Sequence, residues 1–384
     1  MKEIIEKRKK ESYQIFKELP MPSSKLESWK YTFVKELDIS NFKPISQIIE
    51  FPQLSDEVKK KGVIFVKLSD AIENNFEILS EHLPMGLVKN DEDKFTAMHA
   101  SFFNDGIFVH VPKNTKLDLP LRNIFRTTGQ GGVFSHSIII LEEGAEITYV
   151  EEHYSEKYIG DTLRNDVVEI YAKKNSKINF INFQNWNDNV INITNWKGKI
   201  DQDAQINFYS GQFGGKLSRI KTDVMMNGLN SSSKNKSVFF ANNNQHFDIT
   251  TNIDHNVKHT TGDTLVKGVL DDSATSVFRG MIKIIDDAQH TDSYLSNHSL
   301  ILSNNAVSNS IPSLQIDADE VRASHGATIG KPDEEEIFYL MARGLSRKEA
   351  ERLIILGYFS PIIDEIQIDD IKKKFDDALK NKVR

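Results

Sequence analysis

Three stretches near the middle of the chain share one pattern: a turn residue, a small residue, then a β-branched residue and an aromatic alternating with polar ones. They are Gly144-Ala145-Glu146-Ile147-Thr148-Tyr149, Asn175-Ser176-Lys177-Ile178-Asn179-Phe180 and Asp203-Ala204-Gln205-Ile206-Asn207-Phe208. From Ala145 to Ser176 is 31 residues and from Ser176 to Ala204 is 28, inside the span of about 20–50 that marks stacked-repeat architectures. A looser echo comes at Ser273-Ala274-Thr275-Ser276-Val277-Phe278. Around these stretches lie short runs of β-formers such as Gly106-Ile107-Phe108-Val109-His110-Val111 and Ser137-Ile138-Ile139-Ile140-Leu141, with few helical patterns between them. A β-sandwich shows the same period-two alternation, but the echo near thirty residues favours a β-solenoid, in which each coil needs a neighbour to cover its apolar face. The expected fold is therefore mainly β, with the solenoid over residues 99–320.

The flanks read differently. Residues 3–19 place Ile5, Ser12, Phe16 and Leu19 on one helical face, and Pro20 and Pro22 end that helix. Lys25-Leu26-Glu27-Ser28-Trp29-Lys30-Tyr31-Thr32 follows as a polar turn whose two aromatics pack the arm onto the body, and a further helix is expected across 69–83. Residues 1–98 form an α-rich N-terminal domain on this reading, and 321–384 a helical C-terminal domain. Val321-Arg322-Ala323-Ser324-His325-Gly326-Ala327-Thr328-Ile329-Gly330 reads as a hinge between strand-like and helical texture, with His325 at its centre. Beyond it, Asp333 with Glu336 and Ser346 with Glu349 match the capping-box pattern. Helices are expected over 334–343 and 347–359, with Pro361 as an interruption. Their apolar residues, Ile337, Leu340 and Met341 on the first and Leu353, Leu356, Tyr358 and Phe359 on the second, suit either a lid on the solenoid end or a partner-binding element.

Composition restricts the chemistry. The chain has no cysteine, so it forms no disulfide, carries no persulfide and supplies no thiolate to zinc or an iron–sulfur cluster. A net charge of −7 argues against nucleic acid as the main partner. No apolar run suits a membrane span, and the acidic residues among the first nineteen do not suit a targeting peptide, so a cytoplasmic protein is expected. Gly211-Gln212-Phe213-Gly214-Gly215-Lys216-Leu217-Ser218 fails as a phosphate loop, because its glycines are one step too close and Leu217 stands where the magnesium-binding hydroxyl belongs. No nucleotide site is expected. His246, His255, His259, His290, His298 and His325 gather late in the chain among Asp254, Asp263, Asp271 and Asp272, a weak signal for a metal site.

Several segments form a recognisable set: Glu27-Ser28-Trp29-Lys30-Tyr31-Thr32, Lys267-Gly268-Val269-Leu270-Asp271-Asp272, Val277-Phe278-Arg279-Gly280, Ala288-Gln289-His290-Thr291-Asp292, Ile311-Pro312-Ser313-Leu314-Gln315-Ile316, Ser324 to Gly330, and Ile337-Phe338-Tyr339-Leu340-Met341-Ala342-Arg343-Gly344. Taken together they resemble the SufB/SufD family of iron–sulfur cluster assembly proteins, specifically its SufD branch. The resemblance implies a right-handed parallel β-helix between helical ends. It also implies a SufB-type partner paired through the last strands and a SufC-type ABC ATPase docked on the C-terminal helices. The SufB branch has a functional cysteine where Asn297 stands and His-Glu where His325-Gly326 stands, which places this chain on the SufD side. The SufD branch often has cysteine at the position of Ala323. His325 is then the remaining candidate ligand for iron or a transient iron–sulfur cluster shared with SufB, and the chain itself is a non-catalytic adaptor.

Two other classes compete with that reading. A β-helix also hosts polysaccharide-acting enzymes, and paired β-helix edges would make a structural homodimer without any cluster role. Copurification with a SufC-like ATPase separates the first reading from both.

Overall fold

The computed structural model describes residues 2–83, 86–156 and 160–383. Its centre is a two-sheet parallel β-solenoid. Strands that follow one another in the chain fall alternately into the two sheets. The first sheet takes Glu146–Ser155, Lys177–Asn185, Gln205–Phe213, Ser232–Ala241, Thr261–Leu270, Asp292–Ile301 and Arg322–Gly330. The second takes Thr162–Ala172, Val190–Ile200, Leu217–Met226, His246–His255, Thr275–Ile284 and Val307–Ile316.

The repeat sets both corners and register. Asn175 and Asp203 adopt left-handed backbone, φ 57° and 56°, a conformation that Asn and Asp tolerate better than other residues with a side chain. The next residue closes the corner: Ser176 N–H donates to the Lys173 carbonyl at 3.0 Å and Ala204 N–H to the Asp201 carbonyl at 3.2 Å. Ala145, Ser176 and Ala204 are all buried, so a larger side chain has no room there. The strands then align Ile147 with Ile178 and Ile206, and Tyr149 with Phe180 and Phe208. The Tyr149 and Phe180 rings lie 5.8 Å apart and those of Phe180 and Phe208 5.7 Å apart. Each such ring contributes roughly 1.5–3 kcal/mol by burial, and a slip of one residue would turn all of them out to solvent. The echo at Ser273–Phe278 is not another copy in this column. Ala274 follows Asp272 (φ 53°) into the second sheet, where the opposite corner of the coil uses the same chemistry.

At its N-terminal end the solenoid is closed. Ile48–Glu50 pairs antiparallel with Leu121–Thr127 on the first sheet, and Ile64–Lys67 pairs antiparallel with Ile107–Val111 on the second. Phe65 is buried against Phe51 and Tyr149, with ring separations of 5.0 and 6.3 Å. Helices α1 (Lys2–Glu18), α2 (Asp56–Lys60), α3 (Leu68–Asn74), α4 (Phe76–Ser80) and α5 (Lys94–Phe102) surround this end. The helix expected over 69–83 is split into α3 and α4 at Asn75, whose backbone leaves helical geometry (φ −127°, ψ 34°). The arm after α1 lies on the outer face of the second sheet. Trp29 stacks on Phe95 at 5.4 Å, the Arg219 guanidinium lies 4.0 Å from the Trp29 ring, and Thr32 Oγ1 donates to Asp248 Oδ2 at 2.5 Å.

The C-terminal part departs from expectation in three places. Arg322–Gly330 is the last strand of the solenoid rather than a hinge opening a helical domain at 321; helix begins only with α6 (Glu334–Ala342). The second helix, α7 (Arg347–Ile363), continues through Pro361. That proline leaves the Gly357 carbonyl without its helical donor, and Ser360 Oγ supplies a hydrogen bond of 2.9 Å to it. A third helix, α8 (Asp369–Lys382), follows. Its Ile371, Phe375, Ala378 and Leu379 join Ile355, Phe359 and Ile362 of α7 in covering Phe183, Phe213 and Phe240 on the outer face of the first sheet. The stretch that fails as a phosphate loop has a packing role here: a Cβ at Gly211 would lie 2.3 Å from the Phe375 ring.

Candidate functional site

The C-terminal end of the solenoid has no closing strand among the described residues. Val307–Ile316 is the edge of the second sheet and Arg322–Gly330 the edge of the first. Arg322 N–H donates inward to the Thr291 carbonyl at 2.8 Å. Alternation along the strand then turns the N–H and C=O groups of Ala323, His325, Ala327 and Ile329 to the open edge. The same reasoning applies to the other edge, where Val307 N–H donates inward to Ala274 and Asp317 N–H to Ile284. Its outward positions are Ser308, Ser310, Pro312, Leu314 and Ile316, and Pro312 has no N–H to offer a further strand.

Side chains at the same positions continue the interior columns. His325 stands in register over the buried Leu295, and Ala327 over the buried Asn297. His325 is exposed because no further coil covers it. Beneath it the floor is partly polar. Asn297 Nδ2 donates to the Val266 carbonyl at 3.3 Å while its Oδ1 has no partner, and Ser310 Oγ also has none. Ser308 Oγ bonds Ser299 Oγ at 3.1 Å and receives Ser276 Oγ at 2.9 Å, joining the two sheets. Around this floor Ile329 (45%), Leu314 (37%), Ile316 (37%) and Val307 (50%) are exposed. Exposed apolar side chains beside unpaired strand edges form a surface suited to another chain.

The other histidines do not join His325. Among the described residues no three His, Asp or Glu side chains converge as a metal site. His255 is buried inside a corner between Thr260 Oγ1 at 2.7 Å and Ser293 Oγ at 3.0 Å, and burial pushes its pKa down to about 4. His246 is held by Thr32 and Thr275. His298 faces outward on the first sheet, its pKa lowered by burial and then by Lys267. His259 and His290 stack at 4.9 Å on successive exposed turns, and His290 Nε2 lies 3.4 Å from Glu320. Among the described residues, then, none joins His325 in a set of three that could hold a metal ion.

The docking candidates on the C-terminal helices divide in two. Phe359 and Ile337 are buried, and Leu356 and Tyr358 pack against the solenoid wall, so these four are engaged within the chain. Met341 (40%) and Leu353 (49%) are exposed, and Leu340 is half-buried. Phe338 (71%) and Tyr339 (58%) are also exposed, and helical spacing had not singled them out. Spacing identifies which residues share a face, but not which face the body covers. α6 packs on α7, and Arg347 of α7 bonds Glu334 of α6 at 2.6 Å. Phe338, Tyr339, Met341 and Leu353 are the exposed large apolar side chains of α6 and α7.

Comparison with known proteins agrees with this architecture. Residues 124–358 match the family model described as SUF system FeS cluster assembly, SufBD core domain, and residues 51–122 match the SufBD protein N-terminal region. The iron–sulfur cluster assembly protein SufD of Bacillus subtilis is 31% identical over 86% of this chain and 76% of its own length. An iron–sulfur cluster assembly SufBD family protein of Staphylococcus haemolyticus is 29% identical over 84% of this chain and 69% of its own. No helix among the described residues is long and apolar enough to cross a membrane. With both family models matched in order along a parallel β-solenoid, this chain belongs to the SufBD family of the SUF iron–sulfur cluster assembly system.

Proposed function

We propose that the chain is a non-catalytic, SufD-type subunit that pairs with a SufB-type subunit through the open solenoid end. We further propose that it carries a SufC-type ABC ATPase on the outlying surface of α6 and α7. The observation that carries this reading is the contrast in closure: one end of both sheets is sealed by antiparallel strands, while the other leaves two edges and a partly polar core uncovered. Pairing there places His325 at the seam, with its side chain over the end of the core. A neutral imidazole binds iron, and replacing thiolate by imidazole raises a cluster's potential. An iron ion or nascent cluster is cargo in this scheme, held between His325 and ligands on the partner. Phe338, Tyr339, Met341 and Leu353 supply the apolar contact with the ATPase.

The test is co-expression with SufB-type and SufC-type chains, followed by size and iron analysis. Tyr339→Asp is expected to release the ATPase and leave the SufB-type contact. Ile329→Asp is expected to do the reverse. His325→Ala should assemble normally with reduced iron or cluster yield, and an unchanged yield would retire its role as a ligand. A chain that ignores both partners and pairs only with itself would favour a structural homodimer, since a second copy also fits exposed strand edges.

A further inference from the structure

The arm that follows α1 is tied to the solenoid at two points and stands away from it in between. At one end Thr32 Oγ1 donates to Asp248 Oδ2 at 2.5 Å and accepts from His246 Nε2 at 3.1 Å. At the other, Gly132 N–H donates to the Lys43 carbonyl at 2.8 Å and Ile45 N–H to the Gly132 carbonyl at 2.9 Å. Between them a short 3-10 turn, Ile39–Asn41, holds the arm in a bow, its first residues capped by Asp38, which accepts from the Ser40 N–H at 3.1 Å. Under the bow lies a cavity of about 900 Å³, within the range of about 300–1,000 Å³ that small-molecule sites occupy.

The walls divide into an apolar floor and a charged rim. Ile191 and Leu217 stand side by side in register on the outer face of the second sheet, with His246 next to Leu217. Val34, Leu37 and Phe42 face them from the arm and belong to the same apolar cluster. Of the ionisable side chains that line the cavity, Lys216 and Asp161 neutralise each other at 2.6 Å. Burial lowers the pKa of His246, so its ring is neutral at pH 7. Two remain, and both are carboxylates on the arm. Glu36 is exposed. Asp38 is exposed as well, and hydrogen bonds from Ser40 hold its carboxyl below the usual range, so it stays ionised. Lys35, beside Glu36 in the chain, lines a separate hollow with Met21 and Pro22. An apolar floor below two uncompensated carboxylates disfavours anions and suits a ligand with hydrocarbon at one end and positive charge at the other.

We propose that the cavity under the arm binds a small organic cation, its apolar body resting on Ile191, Leu217 and Phe42 and its ammonium group meeting Glu36 and Asp38 at the rim. Burial of the body supplies most of the affinity. The exposed rim supplies the choice of sign, since exposed ion pairs are individually weak. This site is independent of His325 and of the helical surface, so it stands or falls separately from the pairing proposed above.

The test uses the full chain and three probes that share one ring and differ in charge: tryptamine, tryptophol and indole-3-acetate. Equilibrium dialysis against labelled tryptamine at low ionic strength should find one saturable equivalent. Tryptophol should bind about threefold to tenfold more weakly and indole-3-acetate more weakly still, and added salt should narrow the gap. Glu36→Lys changes an exposed side chain, so the fold is expected to persist, and tryptamine should then bind no better than tryptophol. No saturable tryptamine on the unmodified chain would overturn the proposal, and so would equal binding of the three probes; neither measurement depends on a variant folding. A preference for tryptamine that survives Glu36→Lys would overturn it too, because the cation would then be recognised somewhere other than this rim.

Discussion

The two ends of the solenoid are built from the same kind of coil and finished in opposite ways. At the N-terminal end each sheet is closed by an antiparallel strand, and Phe51 and Phe65 cover the first interior column. At the C-terminal end the corresponding columns finish in Ala323, His325, Ala327 and Ile329, small or polar apart from Ile329, and nothing among the described residues lies over them. The difference teaches that a stacked-coil protein chooses where it is sticky by where it withholds a closing strand. Each coil contributes an apolar layer and two edges, so an unclosed end remains a template until another chain occupies it.

That contrast can be broken most directly at the closed end. Phe65→Ala should cost about 3–5 kcal/mol, seen as a large drop in the denaturation midpoint; a drop no larger than that of an exposed residue would mean the closing strands are decorative. The second effect concerns pH near the open end. His255 has its pKa lowered by burial to about 4 from 6.5. A histidine depressed in this way contributes its full stability above pH 6.5 and loses it progressively as pH falls toward 4, by about 3 kcal/mol at most. His255→Gln should flatten the stability profile across that interval, and a profile unchanged by the substitution would refute the assignment. A smaller effect tests the corners between the ends. Asn175→Ala should cost about 1 kcal/mol, whereas Asn175→Gly should be nearly neutral; equal losses would show that left-handed backbone is not what Asn175 provides. Smallest of all, Ile329→Ala in the isolated chain should change stability by about 0.5 kcal/mol or less. A loss approaching that of Phe65→Ala would mean the open end is already covered.

Much of the solenoid was legible because its corners impose chemistry on the sequence. A residue at positive φ, then a small buried residue, then alternation recurs at the corners entering the first sheet from Gly144-Ala145 to His290-Thr291, and Ala145, Ser176 and Ala204 align as that pattern requires. Arg322–Gly330 was harder to read as strand. Its inward positions have no next coil to face, so they lack the large apolar residues that identify a buried strand, and its two glycines imitate a turn. α8 was missed although Ile371, Phe375, Ala378 and Leu379 share a helical face. The many lysines and aspartates around them dilute that signal. The exposure of Phe338 and Tyr339 was not legible at all, since it depends on which side of α6 rests on α7. Arg279 shows the same limit: its motif was visible, but only the fold reveals that Asp248 must serve two guanidiniums.

Pro312 gives the open end a handedness of use. A neighbouring strand can zip along the first sheet, where every second amide is free, but meets an imino nitrogen halfway along the second. A joint formed at this end would have one continuous seam and one interrupted seam. If a partner pairs there as proposed, fewer backbone bonds would hold it on the proline side, and that seam would be the easier of the two to open.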